Sequence, residues 1–227
     1  MYWIISIVVL IIFAFLIWAS SDVGSNVYLK TICKGCTDER VVTLTFDDGP
    51  NEFMTPKILD VLKQYDIKAT FFLVGEKVIR NQEIVKRIYA EKHTIGNHTY
   101  SHTGFFPLWK FSRVKQELEC CNDVISEVVG FTPKIFRPPF GVTNPIIGKV
   151  VKLFGFTAIG WSVRSLDTVD SYSREYVAKR VIRKLHPGAI ILLHDRCKDA
   201  DKLLVLIIEY ALSHNYKFVS LNTILNR

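Results

Sequence analysis

Seven short β-rich apolar runs, separated by helical patterns, constrain this chain more than any other feature. The runs lie at residues 41–46, 69–74, 94–97, 134–137, 157–161, 189–193 and 217–220. Several are continuously apolar rather than alternating, as in strands buried on both faces. Helical patterns fall between them at 55–64, 81–92, 112–129, 144–154, 173–185 and 200–214. In the second of these Ile84, Val85, Ile88 and Tyr89 share a face, and Asn81 stands where a helix cap belongs. A β-α order repeated about seven times predicts an α/β fold: a parallel sheet with helical crossovers, open or closed as a barrel. Gly130, Gly155 and Gly188 sit at helix-to-strand turns. No 20–50-residue period repeats, and nothing marks a second globular domain.

The N-terminus is a different kind of segment. Residues 2–19 are apolar except for Ser6 and the Tyr2 hydroxyl. As a helix they span roughly 27 Å, close to the roughly 30 Å hydrocarbon core of a bilayer. Trp3 and Trp18 stand near the two ends, where indoles favour the membrane interface. A cleaved signal peptide is the alternative, with small residues at Ala19-Ser20-Ser21. No Lys or Arg precedes the run, and it exceeds the usual apolar length of about 7–15 residues in a signal. The expected division is a transmembrane anchor or uncleaved signal at 1–21, a polar, turn-rich linker at 22–40, and one α/β domain at 41–227. Lys30 and Lys34 after the span lean weakly toward a cytoplasmic domain.

The formal net charge of +7 is spread without an arginine-rich tract, which argues against nucleic acid as a partner. Cys33 and Cys36 form a lone CxxC with no second pair to complete a four-thiolate site. A local disulfide or two idle thiols is the expectation. Cys120 and Cys121 diverge on a predicted helix, and Cys197 makes the count odd.

Function in such folds gathers at the C-terminal ends of strands. Those ends carry Asp47-Asp48-Gly49-Pro50, then Asn97-His98 with His102, then Arg137-Pro138-Pro139-Phe140, then Trp161 with Arg164 and Asp167, then His194-Asp195. Each alone is as readily a turn or a satisfied polar cap. Together they make a rim. Two histidines and a carboxylate suit zinc or a similar divalent ion, with a position open to water. Of Asp47 and Asp48, one can bind the ion while the other takes a proton from the water. Arg137 would keep that base ionised, and His194 would serve as acid with Asp167 raising its pKa. The set spells hydrolysis of an acyl bond with a poor leaving group. His93 and His214 lie near the ends of predicted helices, where a partly charged imidazole suits the dipole. His186 stands in a turn and is given no role.

These residues resemble the polysaccharide deacetylase family, carbohydrate esterase family 4, also called the NodB homology domain. Five motifs occur in the family's order over roughly residues 41–221: Thr45-Phe46-Asp47-Asp48-Gly49-Pro50, His98-Thr99-Tyr100-Ser101-His102, Arg137-Pro138-Pro139-Phe140, Trp161 through Asp167, and Leu192-Leu193-His194. The resemblance implies a distorted (β/α) barrel with fewer than eight repeats. It implies Asp48, His98 and His102 as metal ligands, Asp47 as base, Arg137 as its partner and His194 as acid tuned by Asp167. It also implies one divalent ion, zinc first, with cobalt, nickel or manganese as alternatives. The Phe140 backbone N–H would help hold the oxyanion. Leu192 would line an acetyl pocket, with Trp161 and Arg164 also facing substrate. The implied substrates are acetylated glycans such as peptidoglycan, chitin or O-acetylated xylan.

The fourth motif departs from the family's Asp-x-x-Asp-Trp. Arg164 replaces the first Asp and Thr168 replaces the Trp, while Asp167 remains. Arg164 either meets an anionic substrate group, such as a muramic acid carboxylate, or pairs with a nearby aspartate. The loop 101–111 offers Phe105, Phe106 and Trp109 for stacking on sugars or for local packing. The expectation is a membrane-anchored, extracytoplasmic N-deacetylase. An O-acetyl esterase and a non-catalytic glycan-binding relic are the alternatives. A glycan outside the cytoplasm overrides the weak lysine signal.

Overall fold

Every residue of β2 (Val41–Gly49) is buried, because sheet neighbours flank this strand and apolar layers cover both of its faces. The computed structural model describes residues 2–225. β2 pairs in parallel with β3 (Thr70–Leu73) on one side and β8 (Ala189–His194) on the other. β4 (Thr94–Asn97), β5 (Ile135–Phe136) and β6 (Thr157–Ile159) continue past β3, and β7 (Val163–Arg164) lies beyond β8. β9 (Lys217–Phe218) pairs with the start of β2. The strands that end this order, β7 and β1 (Thr31–Ile32, beside β6), do not pair with each other among the described residues, so the parallel sheet is a half-barrel. The distorted (β/α) barrel expected from the motif order is what the chain forms.

Helices cover its outside. These are α2 (Met54–Gln64), α3 (Gly75–Arg80), α4 (Gln82–Ala90), α5 (Phe111–Val129), α6 (Pro145–Leu153), α7 (Arg174–Arg183) and α8 (Ala200–Ser213). Asn144 and Ser173 cap α6 and α7 by accepting from the N–H groups of Ile147 and Tyr176. The largest cluster packs Ile58, Leu59, Leu62, Ile88, Leu204 and Ile208 against β2, β3 and β8. Inside the half-barrel Phe72, Ile159 and Ile190 meet Leu221 and Ile224 of α9 (Leu221–Leu225), which closes the end where β2 begins.

The segment 22–40 is not a free linker. It contributes β1 (Thr31–Ile32), which pairs with Ala158 and Ile159 of β6. Gly35 N–H donates to the Gly188 carbonyl, and Lys34 bridges to Ala189. The polar, turn-rich composition suggested a stalk, but the free edge of β6 has unpaired backbone groups that a passing strand satisfies. All five cysteines are free, with Cys33 half-buried, Cys36 exposed and no disulfide among the described residues.

Two local expectations change, at Asn81 and His93, and for Phe106 and Trp109 the structure favours the local-packing alternative. Asn81 does not cap α4 with its side chain; it sits between α3 and α4 and donates to the Lys77 carbonyl. His93 is buried rather than at an exposed helix end, and its Nδ1 accepts from the Ala69 N–H. Phe106 is fully buried in a cluster with Val114, Phe136 and Ile147. Trp109 packs edge-on against Phe106 and under Arg113, so of the three loop aromatics only Phe105 is freely exposed.

α1 (Tyr2–Ser21) has Ala19 as its only buried residue and a mean hydropathy of 2.7. Its apolar side chains before Ala19 are exposed.

Candidate active site

The register of β2 against β8 places Asp47 directly beside His194. A bulge after Phe46 and a left-handed backbone at Asp48 (φ 71°) then turn two successive carboxylates toward the same rim. A Cβ at Gly49 would collide with the Asp195 carboxylate, so the turn needs glycine there.

Asp47 Oδ1 accepts from Arg137 Nη1 at 2.8 Å. Arg137 is fully buried, and every other contact it makes is also satisfied. Nη1 also donates to Thr45 Oγ1 (2.7 Å), Nε to the Ile159 carbonyl (3.1 Å) and Nη2 to the Gly160 carbonyl (2.6 Å). Its guanidinium lies 4.2 Å from the Phe72 ring centroid. Burial pulls the Arg137 pKa down, and the adjacent Asp47 charge opposes that pull. Removing either partner would strand a buried charge.

The second wall comes from the loop after β4. Asn97 donates to Asn122 Oδ1 and the Leu118 carbonyl, and accepts from the Thr99 N–H. Buried Glu117 accepts from both the N–H and the hydroxyl of Ser101. These bonds, with left-handed backbone at Thr99 and His102, bring His98 and His102 to 4.7 Å between ring centroids. His98 Nδ1 is 2.8 Å from the Arg137 carbonyl. A carbonyl only accepts, so Nδ1 carries a proton and Nε2 is the nitrogen left to face the cavity. That Nε2 lies 3.6 Å from Asp48 Oδ1, and His102 Nε2 lies 3.2 Å from the same oxygen. Burial and the neighbouring His98 push His102 down to about 4, so it is neutral near pH 7. Burial resists ionisation of Asp48, but the His98 hydrogen bond and the charges of His98, His102 and His194 prevail and hold it below the usual carboxylate range.

Two imidazole nitrogens and one carboxylate oxygen, mutually within 4.8 Å, are a donor set that fits a divalent ion.

On the far side, His194 Nδ1 is 2.8 Å from Asp167 Oδ1, and its backbone N–H donates to Asp167 Oδ2. Buried Ser165 donates to the same Asp167. Burial lowers the His194 pKa, but the Asp167 hydrogen bond and charge outweigh it, so the net shift is upward. Phe140, with a left-handed backbone and a half-exposed ring, lies 4.9 Å from the His102 ring.

A cavity of about 110 Å³ joins these groups. Asp47, Asp48, His98, His102, Phe140, Trp161, Arg164, Leu192 and His194 all line it, while Arg137 and Asp167 stand behind their partners. All eleven residues singled out in the sequence therefore meet at one rim. Arg164 is exposed and lies 5.9 Å from the Trp161 ring, with no carboxylate partner among the described residues. Thr168 stands between this cavity and an open hollow of about 460 Å³.

Two contributors escape sequence reasoning, and a third, Asp195, is placed on the rim by it without a role. Arg196 Nε is 2.6 Å from Asp48 Oδ2, and Lys77 Nζ donates to the Asp48 carbonyl. Asp195 is fully buried and accepts from Thr55 Oγ1, and burial raises it to about 7. Arg196 and Asp195 directly follow His194 at the end of β8, the one signal that points to them.

A rim of two histidines and paired carboxylates on a parallel half-barrel defines a hydrolase of the esterase and deacetylase class. The chain belongs to the polysaccharide deacetylase family, whose model matches residues 34–159. Two peptidoglycan-N-acetylglucosamine deacetylases of Bacillus cereus are similar to it. One is 41% identical over 67% of this chain and 55% of its own length. The other is 34% identical over 83% of this chain and 89% of its own length. The peptidoglycan-N-acetylmuramic acid deacetylase PdaA of Bacillus subtilis is 32% identical, over 84% of this chain and 73% of its own.

Solved structures agree. The Bc1960 peptidoglycan N-acetylglucosamine deacetylase superposes with a TM-score of 0.81 at 33% identity, covering 86% of this chain and 92% of that one. BA3943 of Bacillus anthracis, a CE4 family pseudoenzyme, gives 0.80 at 29% identity over 86% and 68%. A family 4 acetyl xylan esterase of Clostridium thermocellum, in complex with cobalt, gives 0.76 at 34% identity over 82% and 90%.

Proposed function

We propose that the chain is a metal-dependent N-deacetylase of a peptidoglycan-type N-acetylglucosamine polymer. The observation that carries this reading is the Asp47–His194 register, with the Asp48, His98 and His102 donors facing the same small cavity. Asp48 Oδ1 and the Nε2 atoms of His98 and His102 would hold the ion. A divalent ion bound there supplies Lewis acidity and an acidified water. Asp47 is the base; Arg137 pairs with its Oδ1 and leaves the second oxygen to the cavity. His194, protonated and held by Asp167, donates to the leaving amine nitrogen on the opposite side. The Phe140 N–H assists the oxyanion, and Leu192 and Trp161 bound the acetyl pocket.

The relatives' named substrates favour peptidoglycan over xylan. Retention of all seven residues from the base to the acid, Asp167 included, favours catalysis over a relic. α1 anchors the chain in the membrane, with the catalytic domain extracytoplasmic, where such glycans lie. Lys30 and Lys34 carry little weight on orientation, because they flank and form part of the folded sheet edge rather than a juxtamembrane tail.

The test is acetate release by the full chain from N-acetylglucosamine oligomers, peptidoglycan fragments and acetylated xylan. Release from the first two that is lost on chelation, restored by zinc and abolished in Asp47→Asn supports the reading. Release from xylan alone would replace it with the O-acetyl esterase. No release from any substrate by metal-loaded protein would favour the relic. A reporter at Arg227 that resists external protease in intact cells would overturn the orientation.

A further inference from the structure

The end of α1 is built into the wall of the active site. Ala19 is completely buried, whereas Trp18 and the residues before it are about half or more exposed. The Thr143 N–H donates to the Ser20 carbonyl at 2.9 Å, and Ser25 Oγ donates to the Ala19 carbonyl. Buried Val23 packs beside Gly141, whose other neighbour is Trp161. After that the chain is pinned by β1. The helix therefore leaves the domain from a fixed point, with no flexible stalk between the two.

That point is close to the chemistry. Thr143 is three residues from Phe140, a reach of at most about 11 Å, and Phe140 lies on His102. The mouth is thus on the order of 20 Å from where the apolar helix emerges. The same side of the domain carries unshielded apolar side chains. Asn144 donates to the Pro107 carbonyl, which ties the loop 101–111 next to the helix exit. On that loop Phe105 is 69% exposed and Leu108 is 79% exposed, while Phe106 between them anchors the loop in the core. Bilayers take up such side chains readily, and each buried one adds to the anchoring by α1.

We infer that α1 and the loop 101–111 hold the mouth of the site against the bilayer surface, so that its substrate class is glycan carried at the membrane rather than distant polymer. This inference rests on the membrane-anchored deacetylase reading above. A fixed, short tether raises the effective concentration of substrate at the surface and excludes substrate beyond its reach.

Two variants test it in the full chain, reconstituted in bilayer nanodiscs. One inserts thirty Gly/Ser residues between Trp18 and Ala19, a coil of about 30 Å root-mean-square length. The other is Leu108→Ser, which touches neither the metal donors, the base nor the loop aromatics. Amide hydrogen exchange at residues 101–111 and 140–143 should be at least about tenfold slower in the parent than in the spacer variant. Acetate release from a lipid-anchored N-acetylglucosamine oligomer, relative to the free oligomer, should fall about tenfold in both variants, with the free-oligomer rate unchanged. Equal exchange in parent and spacer variant, or an unchanged ratio in both variants, would overturn the inference, as would failure of α1 to insert. If the parent releases no acetate from either oligomer, the deacetylase reading fails, and the exchange measurement still decides the membrane contact.

Discussion

The two sides of the active site are built differently. On the β2–β4 side, Asp47, Asp48, His98 and Arg137 are buried, and each polar atom near the cavity has a partner at hydrogen-bond or ion-pair distance. On the side formed after β7, Arg164 is exposed and unpaired with any carboxylate among the described residues, and Thr168 leaves an open hollow beside it. The first side cannot change one residue without stranding another, because buried polar groups lose their partners at a cost of about 1–3 kcal/mol each and more when charged. On the second side Arg164 and Thr168 are free to change, whereas Asp167, held by His194 and Ser165, is not. Under the proposed function, the reaction would rest on the packed groups and glycan choice on Arg164 and Thr168.

The comparison breaks most directly at Asp47. Asp47→Asn should reduce acetate release about 10²–10⁴-fold and leave bound metal near one equivalent; retention of rate would remove the base from the rigid wall. Next in size is a buried group outside that wall. His93 Nε2 has only the Glu91 carboxylate at 3.7 Å, and burial, aided by the nearby Lys68 charge, outweighs that carboxylate and lowers the imidazole pKa to about 4. The unfolded chain then binds the extra proton between about pH 6.5 and pH 4. Stability should be full above that window and fall on the order of 3 kcal/mol as pH drops through it. Denaturant melts of His93→Gln should show a flatter acid limb.

Asp167→Asn sharpens the chemistry on the loose side. Asp167 raises the His194 pKa, and an acid must be protonated to act. Losing that carboxylate should move the alkaline limb of the rate–pH profile to lower pH; an unmoved limb would remove His194 as acid. The smallest effect belongs to Arg164. Arg164→Ala should cost about tenfold in kcat/KM on a glycan bearing a carboxylate, equivalent to about 1.4 kcal/mol, and little on neutral oligomers. Equal loss on both would make Arg164 structural.

The same contrast explains what was legible in the sequence. The runs that became β3 and β8 were clear because strands buried on both faces favour continuously apolar sequence. The motifs at the strand ends placed eleven site residues on one rim. β1 and β7 escaped because a two-residue strand carries no periodicity; only the unpaired edge of β6 calls β1 into the sheet. His93 was misjudged because burial depends on which loop folds over it. Arg196 was missed because its value lies in a contact with Asp48, 148 residues away in the chain.

The central claim is that Asp48, His98 and His102 hold the ion on which the reaction depends. Cobalt titration of the metal-free full chain, following the visible absorption and acetate release together, tests it most directly. The account predicts that both rise in parallel and break at one equivalent, and that His98→Ala and His102→Ala lose both signals. Acetate release at full rate without metal, or an undiminished cobalt spectrum in the two alanine variants, would contradict it.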